Sequence, residues 1–139
     1  VPHAALFSID QGKFTVPDYD GTEMCSYAID VWPEDVSLLT DEVTLLALLR
    51  ETAAAGHAVV LGESHHRFPN GALTAVLVLS QSHLSVHTWP EYGSANVDLL
   101  TCGRLNGELM ISRLGEAMRP VRWDIRRVNR TVRARSPVS

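Results

Sequence analysis

Alternation of apolar and polar residues at period two constrains this chain more than any other feature it carries. From Met24 to Trp32 the series Cys25, Tyr27, Ile29, Val31 interleaves with Ser26, Ala28 and Asp30, the pattern of a strand with one buried face. Pro33 closes it. His57 to Gly62 and Leu73 to Leu79 are apolar runs of strand length, and the turn-forming Pro69-Asn70-Gly71 between them predicts a hairpin. His83 to Thr88 and Ala95 to Thr101 repeat the pattern around Pro90-Glu91-Tyr92-Gly93, while Val121, Trp123, Ile125 and Val128 predict a last strand. Two stretches change to helical spacing. One runs from Asp41 to about Ala55, with Thr40 as N-cap and Gly56 as the stop; the other runs from Glu108 to Met118 and is ended by Pro120. This order favours an α+β fold, a two-layer α/β sandwich in which a largely antiparallel sheet carries its helices on one face.

A chain of 139 residues with 45% hydrophobic content supports one core. Residues 1–22, rich in Pro, Asp and Gly, read as an irregular N-terminal extension, and residues 23–139 as a single domain. No apolar run approaches the ~20 residues of a membrane span, and the start lacks the basic-then-apolar order of a signal peptide, so a cytoplasmic protein with no membrane partner is expected. The formal net charge of −4 speaks against nucleic acid as a partner. Arg119, Arg122, Arg126, Arg127, Arg130, Arg133 and Arg135 crowd the C-terminus and read as a solvated edge strand with a basic tail. Cys25 and Cys102 are expected to be free thiols, because nothing in the chain points to an oxidising compartment.

Reactive side chains concentrate between Ser80 and Cys102: serines, histidines, a threonine, an aspartate, a glutamate and a cysteine within two strands and a turn. Taken alone, they fit the polar face of a strand as well as a site. A metal centre is not expected. His83 and His87 would lie about 13 Å apart at ~3.3 Å per residue, and His65-His66 point to opposite faces of an extended segment with no ligand set around them. No Gly-x-Ser-x-Gly elbow surrounds any serine, which removes the commonest hydrolase pattern.

The string Gln81-Ser82-His83-Leu84-Ser85-Val86-His87-Thr88-Trp89-Pro90-Glu91-Tyr92-Gly93 decides between these readings. It resembles the processing segment of the short, prokaryotic, pyruvoyl-dependent S-adenosylmethionine decarboxylases. Val97-Asp98-Leu99-Leu100-Thr101-Cys102-Gly103 follows at the family's distance, and His66-Arg67-Phe68 precedes it at the family's distance. The resemblance runs from about Asp30 to Val128 and implies a proenzyme that cuts itself between Gln81 and Ser82. Ser82 would then become the covalent pyruvoyl cofactor, formed by an N-to-O acyl shift followed by β-elimination. By the same resemblance, His87 transfers protons during elimination and Cys102 protonates the substrate carbon after carbon dioxide leaves, roles that suit an imidazole and a thiol. Phe68 and Trp89 match positions that sandwich an adenine and attract a sulfonium, and Glu91 matches a carboxylate that accepts hydrogen bonds from ribose hydroxyls. Gln81 stands where the family usually has Glu, and Thr74 stands in the place of a serine that assists processing.

The resemblance therefore implies decarboxylation of S-adenosylmethionine, yielding an aminopropyl donor for spermidine synthesis. It also implies a homodimer of processed protomers in four layers, with active sites near the interface. Two alternatives remain open at this level: a pyruvoyl-dependent decarboxylase of ornithine or arginine, prompted by Met24-Cys25-Ser26 where the family often has Gly-x-His, and a non-processing regulatory homologue, prompted by Gln81.

Overall fold

The computed structural model describes residues 23–102 and 104–132. The extension expected at residues 1–22, and Arg133 and Arg135 of the expected tail, lie outside the described residues. Strand β1 (Glu23–Pro33) is followed by a 3-10 turn (Val36–Thr40), helix α1 (Glu42–Ala55), and strands β2 (Val60–Arg67), β3 (Leu73–Leu79) and β4 (Ser82–Trp89). A second 3-10 turn (Pro90–Tyr92) leads to β5 (Ser94–Cys102), helix α2 (Arg104–Met118) and β6 (Pro120–Thr131). The strands form a six-stranded sheet in the order β2-β3-β4-β5-β1-β6. Every pairing in it is antiparallel.

Alternation sorts the side chains of this sheet into two faces. Cys25, Tyr27, Ile29 and Val31 on β1, Leu73, Ala75, Leu77 and Leu79 on β3, Leu84 and Val86 on β4, and Val97 and Leu99 on β5 are buried together with the helix residues Leu45, Leu49, Met110, Ile111 and Leu114. Burial of that many aliphatic side chains, each contributing ~1.5–3 kcal/mol, is what holds two helices on one side of a sheet. The opposite face bears Ser26, Asp30, Thr74, His83, Ser85, His87, Asn96 and Asp98, and no described element covers it.

Several local expectations need correction. The N-cap of α1 is Asp41, whose carboxylate accepts hydrogen bonds from the Thr44 amide at 3.1 Å and the Thr44 hydroxyl at 2.8 Å, while Thr40 ends the preceding 3-10 turn. Those bonds, the amide's first, hold the Asp41 carboxyl below its usual value. β2 starts later than the apolar run around Val59 and extends through Glu63, Ser64, His65, His66 and Arg67. It is an edge strand exposed on both faces, so it needs no apolar alternation. What pins it is polar: Arg50 Nη2 donates to Glu63 Oε1 at 2.5 Å, His65 Nδ1 meets Glu42 Oε2 at 3.0 Å, and Arg67 Nη2 donates to the Thr40 carbonyl at 2.7 Å. α2 begins at Arg104 rather than Glu108 and runs through Gly107, where a Cβ would collide with the Tyr27 ring. At Gly107 the close approach to an aromatic ring outweighs the helix propensity that glycine lacks.

The opposite edge, β6, bears the arginines. Arg122 lies over the Trp32 ring at 4.6 Å and pairs with Asp124, Arg126 reaches Asp30 at 3.4 Å, and Arg130 donates to the Ser26 hydroxyl at 3.4 Å. These contacts fit a charged, protected edge strand.

Candidate active site

The hairpin between β3 and β4 has Leu79 paired with Ser82, leaving Ser80 and Gln81 as its two-residue turn. Gln81 adopts φ +62°, a left-handed conformation that side chains other than glycine's adopt at a cost. Register carries this turn to the end of β5: His83 pairs with Leu100, which brings Ser82 and Gln81 beside Thr101 and Cys102. The Cys102 thiol donates to Gln81 Oε1 at 3.2 Å. From α2, Asn106 Nδ2 donates to the Cys102 carbonyl at 3.2 Å and so fixes the strand end. These groups, with His57 from the α1–β2 connection, line a cavity of about 210 Å³. Ser82 Oγ is buried there and has no hydrogen-bond partner. Buried hydroxyls are almost always satisfied, so an orphaned one at the mouth of a turn is a candidate for chemistry.

A second constellation lies on the open face. Thr74 and His87 are cross-strand partners, and Thr74 Oγ1 and His87 Nδ1 share a hydrogen bond at 2.5 Å whose direction follows the imidazole tautomer. Aromatic rings continue from there in a row. Phe68 meets the His87 ring edge-on at 5.7 Å and the His66 ring at 4.7 Å, and His87 lies 4.5 Å from Trp89. Trp89 Nε1 donates to Asn96 Oδ1 at 2.7 Å, and Asn96 Nδ2 donates to Asp30 Oδ1 at 2.8 Å, a chain that fixes the indole plane. Phe68 and Trp89 are each 38% exposed, so ring surface is left for a ligand. Glu91 follows in the turn Pro90–Tyr92 and is exposed.

Ser82, Gln81 and Cys102 thus come together, and so do Phe68, Thr74, His87 and Trp89, but the two groups are separate within one chain. Ser82 has the parity of the buried Leu84, Val86 and Thr88, whereas His87 projects from the other face. Along β4 at ~3.3 Å per residue, the step from one to the other covers about 17 Å. Sequence reasoning did not single out His57 or Asn106 at the first group, nor Asn96 and Asp30 at the second. Asn96 had a detectable signal, since it sits across the Pro90–Tyr92 turn from Trp89; His57 and Asn106 had none, being brought in from separate elements.

In fold, the chain is similar to a solved adenosylmethionine decarboxylase from Aquifex aeolicus: the TM-score is 0.72 over 85% of this chain and 98% of that one, at 24% identity. This defines a class of two-layer α+β proteins. A family model described as S-adenosylmethionine decarboxylase matches residues 26–131, and the chain belongs to that family. An S-adenosylmethionine decarboxylase proenzyme of Pyrobaculum islandicum is 44% identical over 70 residues, which are 50% of this chain and 56% of that protein. Another, from Methanococcus aeolicus, is 32% identical over 98 residues, 70% of this chain and 84% of that protein. Relative to the Pyrobaculum proteins, the matched segment spans little more than half of their length.

Proposed function

We propose that this chain is the proenzyme of a pyruvoyl-dependent decarboxylase acting on S-adenosylmethionine. The observation that carries the proposal is the buried, unpartnered Ser82 Oγ following a left-handed Gln81 and sharing a cavity with Cys102. The relatives, known as S-adenosylmethionine decarboxylase proenzymes, favour this substrate over ornithine or arginine. In the first reaction Ser82 Oγ adds to the Gln81 carbonyl carbon, the peptide carbon–nitrogen bond breaks, and an ester joins residues 81 and 82. A base then takes the Ser82 α-proton, the bond from Cβ to the ester oxygen breaks, and the Gln81 carboxylate leaves. Water displaces the nitrogen of residue 82 as ammonia, and the second chain begins with pyruvoyl. The site fits that group, because the hydroxyl that must attack the Gln81 carbonyl is bound to no other group.

Once formed, this ketone supplies an electrophile for the substrate's amine and a sink for the electrons of the bond to its carboxylate. Cys102 holds the proton for the carbon that loses carbon dioxide. Phe68 and Trp89 offer π faces to an adenine and to the sulfonium, and Glu91 accepts from ribose hydroxyls. Thr74 and His87 move the α-proton during processing.

In this reading the protein is a homodimer stacked sheet against sheet in four layers. The apolar side chains Phe68, Val78, Trp89 and Val128 left exposed on the open face or its rim support it. Cleavage and decarboxylation are tested together. Wild type should separate on a denaturing gel into residues 1–81 and 82–139 and release carbon dioxide from S-adenosylmethionine, while Ser82→Ala stays whole and inactive. Cleavage of Ser82→Ala at the same bond, or release from ornithine or arginine but not from S-adenosylmethionine, would refute the corresponding half.

A further inference from the structure

The hydrogen bond between Cys102 and Gln81 joins two groups that the proposed chemistry treats separately, one as the acid of decarboxylation and the other as the carbonyl side of the scissile bond. Cys102 donates to the Gln81 carboxamide oxygen at 3.2 Å. The bond exists only while the thiol keeps its proton, since a thiolate has none to give and would face the carboxamide oxygen as a like partial charge. Gln81 reaches the thiol from a backbone at φ +62°, and its position in a two-residue turn between Leu79 and Ser82 fixes it there. An uncut chain can hold a non-glycine residue in that conformation; a chain end cannot be held in it by the turn. Asn106 secures the backbone of Cys102 but not its sulfur, so the side-chain contact falls to Gln81 alone among the described residues.

We infer that Gln81 is a positioning residue for Cys102: its carboxamide engages the thiol in the uncut chain, and cleavage after Gln81 releases that thiol for use as the acid. This inference rests on the proposed self-cleavage and adds a latch to it. Gln81 then has two successive states, a strained turn residue that restrains the acid and a free chain end that does not.

The two cysteines allow a direct test, because Cys25 is fully buried and Cys102 is partly exposed, so iodoacetamide reports on Cys102, with peptide mapping to identify the alkylated thiol. Alkylation rates are compared near neutral pH in the uncut Ser82→Ala chain, in the same chain carrying Gln81→Ala or Gln81→Glu, and in processed wild type. Loss of one hydrogen bond to the thiol should speed alkylation about fivefold in the Gln81→Ala chain. The Gln81→Glu chain should react no faster than Ser82→Ala alone, because a carboxylate oxygen accepts the same bond from the thiol. Processed wild type should react like the Gln81→Ala chain. Equal rates in Ser82→Ala with and without Gln81→Ala would overturn the latch, as would a Gln81→Glu chain as fast as the alanine one. A processed enzyme as slow as Ser82→Ala would overturn the release. Should the alanine chain fail to show a cooperative melt, Gln81→Gly, which favours φ +62°, replaces it with the same expectation. If wild type never cleaves, the proposed function fails, yet the comparison among uncut chains still decides whether Gln81 restrains the thiol.

Discussion

In the proposed function Phe68 and Trp89 meet the substrate, and at the scale of single residues their surroundings suit that role. Each contacts the imidazole of His87 on one side and keeps more than a third of its surface exposed, and the Trp89 indole is held in plane by Asn96, which is itself held by Asp30. A ring fixed in this way loses little freedom when a second ring stacks on it. Replacing either with alanine should therefore weaken use of S-adenosylmethionine by roughly two- to thirty-fold, seen mainly as a higher KM, since one stacking or cation-π contact contributes ~0.5–2 kcal/mol. Gel analysis of the same variants should show nearly unchanged self-cleavage, because neither ring lies at the Gln81–Ser82 turn. Unchanged steady-state kinetics in both would take these residues out of the substrate site. Their identity was legible in the string of residues around them, but the contacts that orient them were not.

Among the elements, β4 does the most to tie the site to the core, and Thr88 is its fastening. Fully buried, its hydroxyl donates to the Leu39 carbonyl at 2.8 Å and accepts from the Leu73 amide at 2.8 Å, joining the 3-10 turn before α1 to the start of β3. These contacts give Thr88 a structural role. Thr88→Val keeps the volume but strands a buried donor and a buried acceptor, which should cost roughly 2–4 kcal/mol and lower the thermal midpoint by about 10 °C. Thr88→Ser, keeping both bonds, should lose about 1 kcal/mol or less with the missing methyl. A calorimetric melt of the two variants, each made in the Ser82→Ala chain, distinguishes them, and equal midpoints would mean that the two bonds contribute nothing. β2 makes the complementary point: an edge strand pinned by ion pairs carries no apolar period, which is why the sequence pattern placed it too early.

For the whole molecule, the question is what completes a site whose two halves project from opposite faces of one sheet. If a second copy does so, Ser82→Ala and His87→Ala should rescue one another on co-expression. Each mixed dimer then contains one site with both Ser82 and His87 and one with neither. About half the dimers are mixed, so cleavage and decarboxylation should recover to about a quarter of the wild-type level. No recovery from a mixture that forms dimers by light scattering would mean that each chain builds its site alone.

Strand alternation in the sequence determined which side chains share a face, and it already set Ser82 and His87 on opposite ones, because side chains alternate along an unbulged strand such as β4. The same sequence determined the reactive string and the turn that breaks it. It could not determine which strands lie next to each other. Tertiary structure decided that β1 inserts between β5 and β6, and that α2 returns across the end of β5 with Asn106 beside Cys102. It also decided that the α1–β2 connection brings His57 to the same cavity. Alternation is a local steric property of the chain, whereas neighbours are chosen by closing long loops around one shared core, a cost and a gain that no short segment contains.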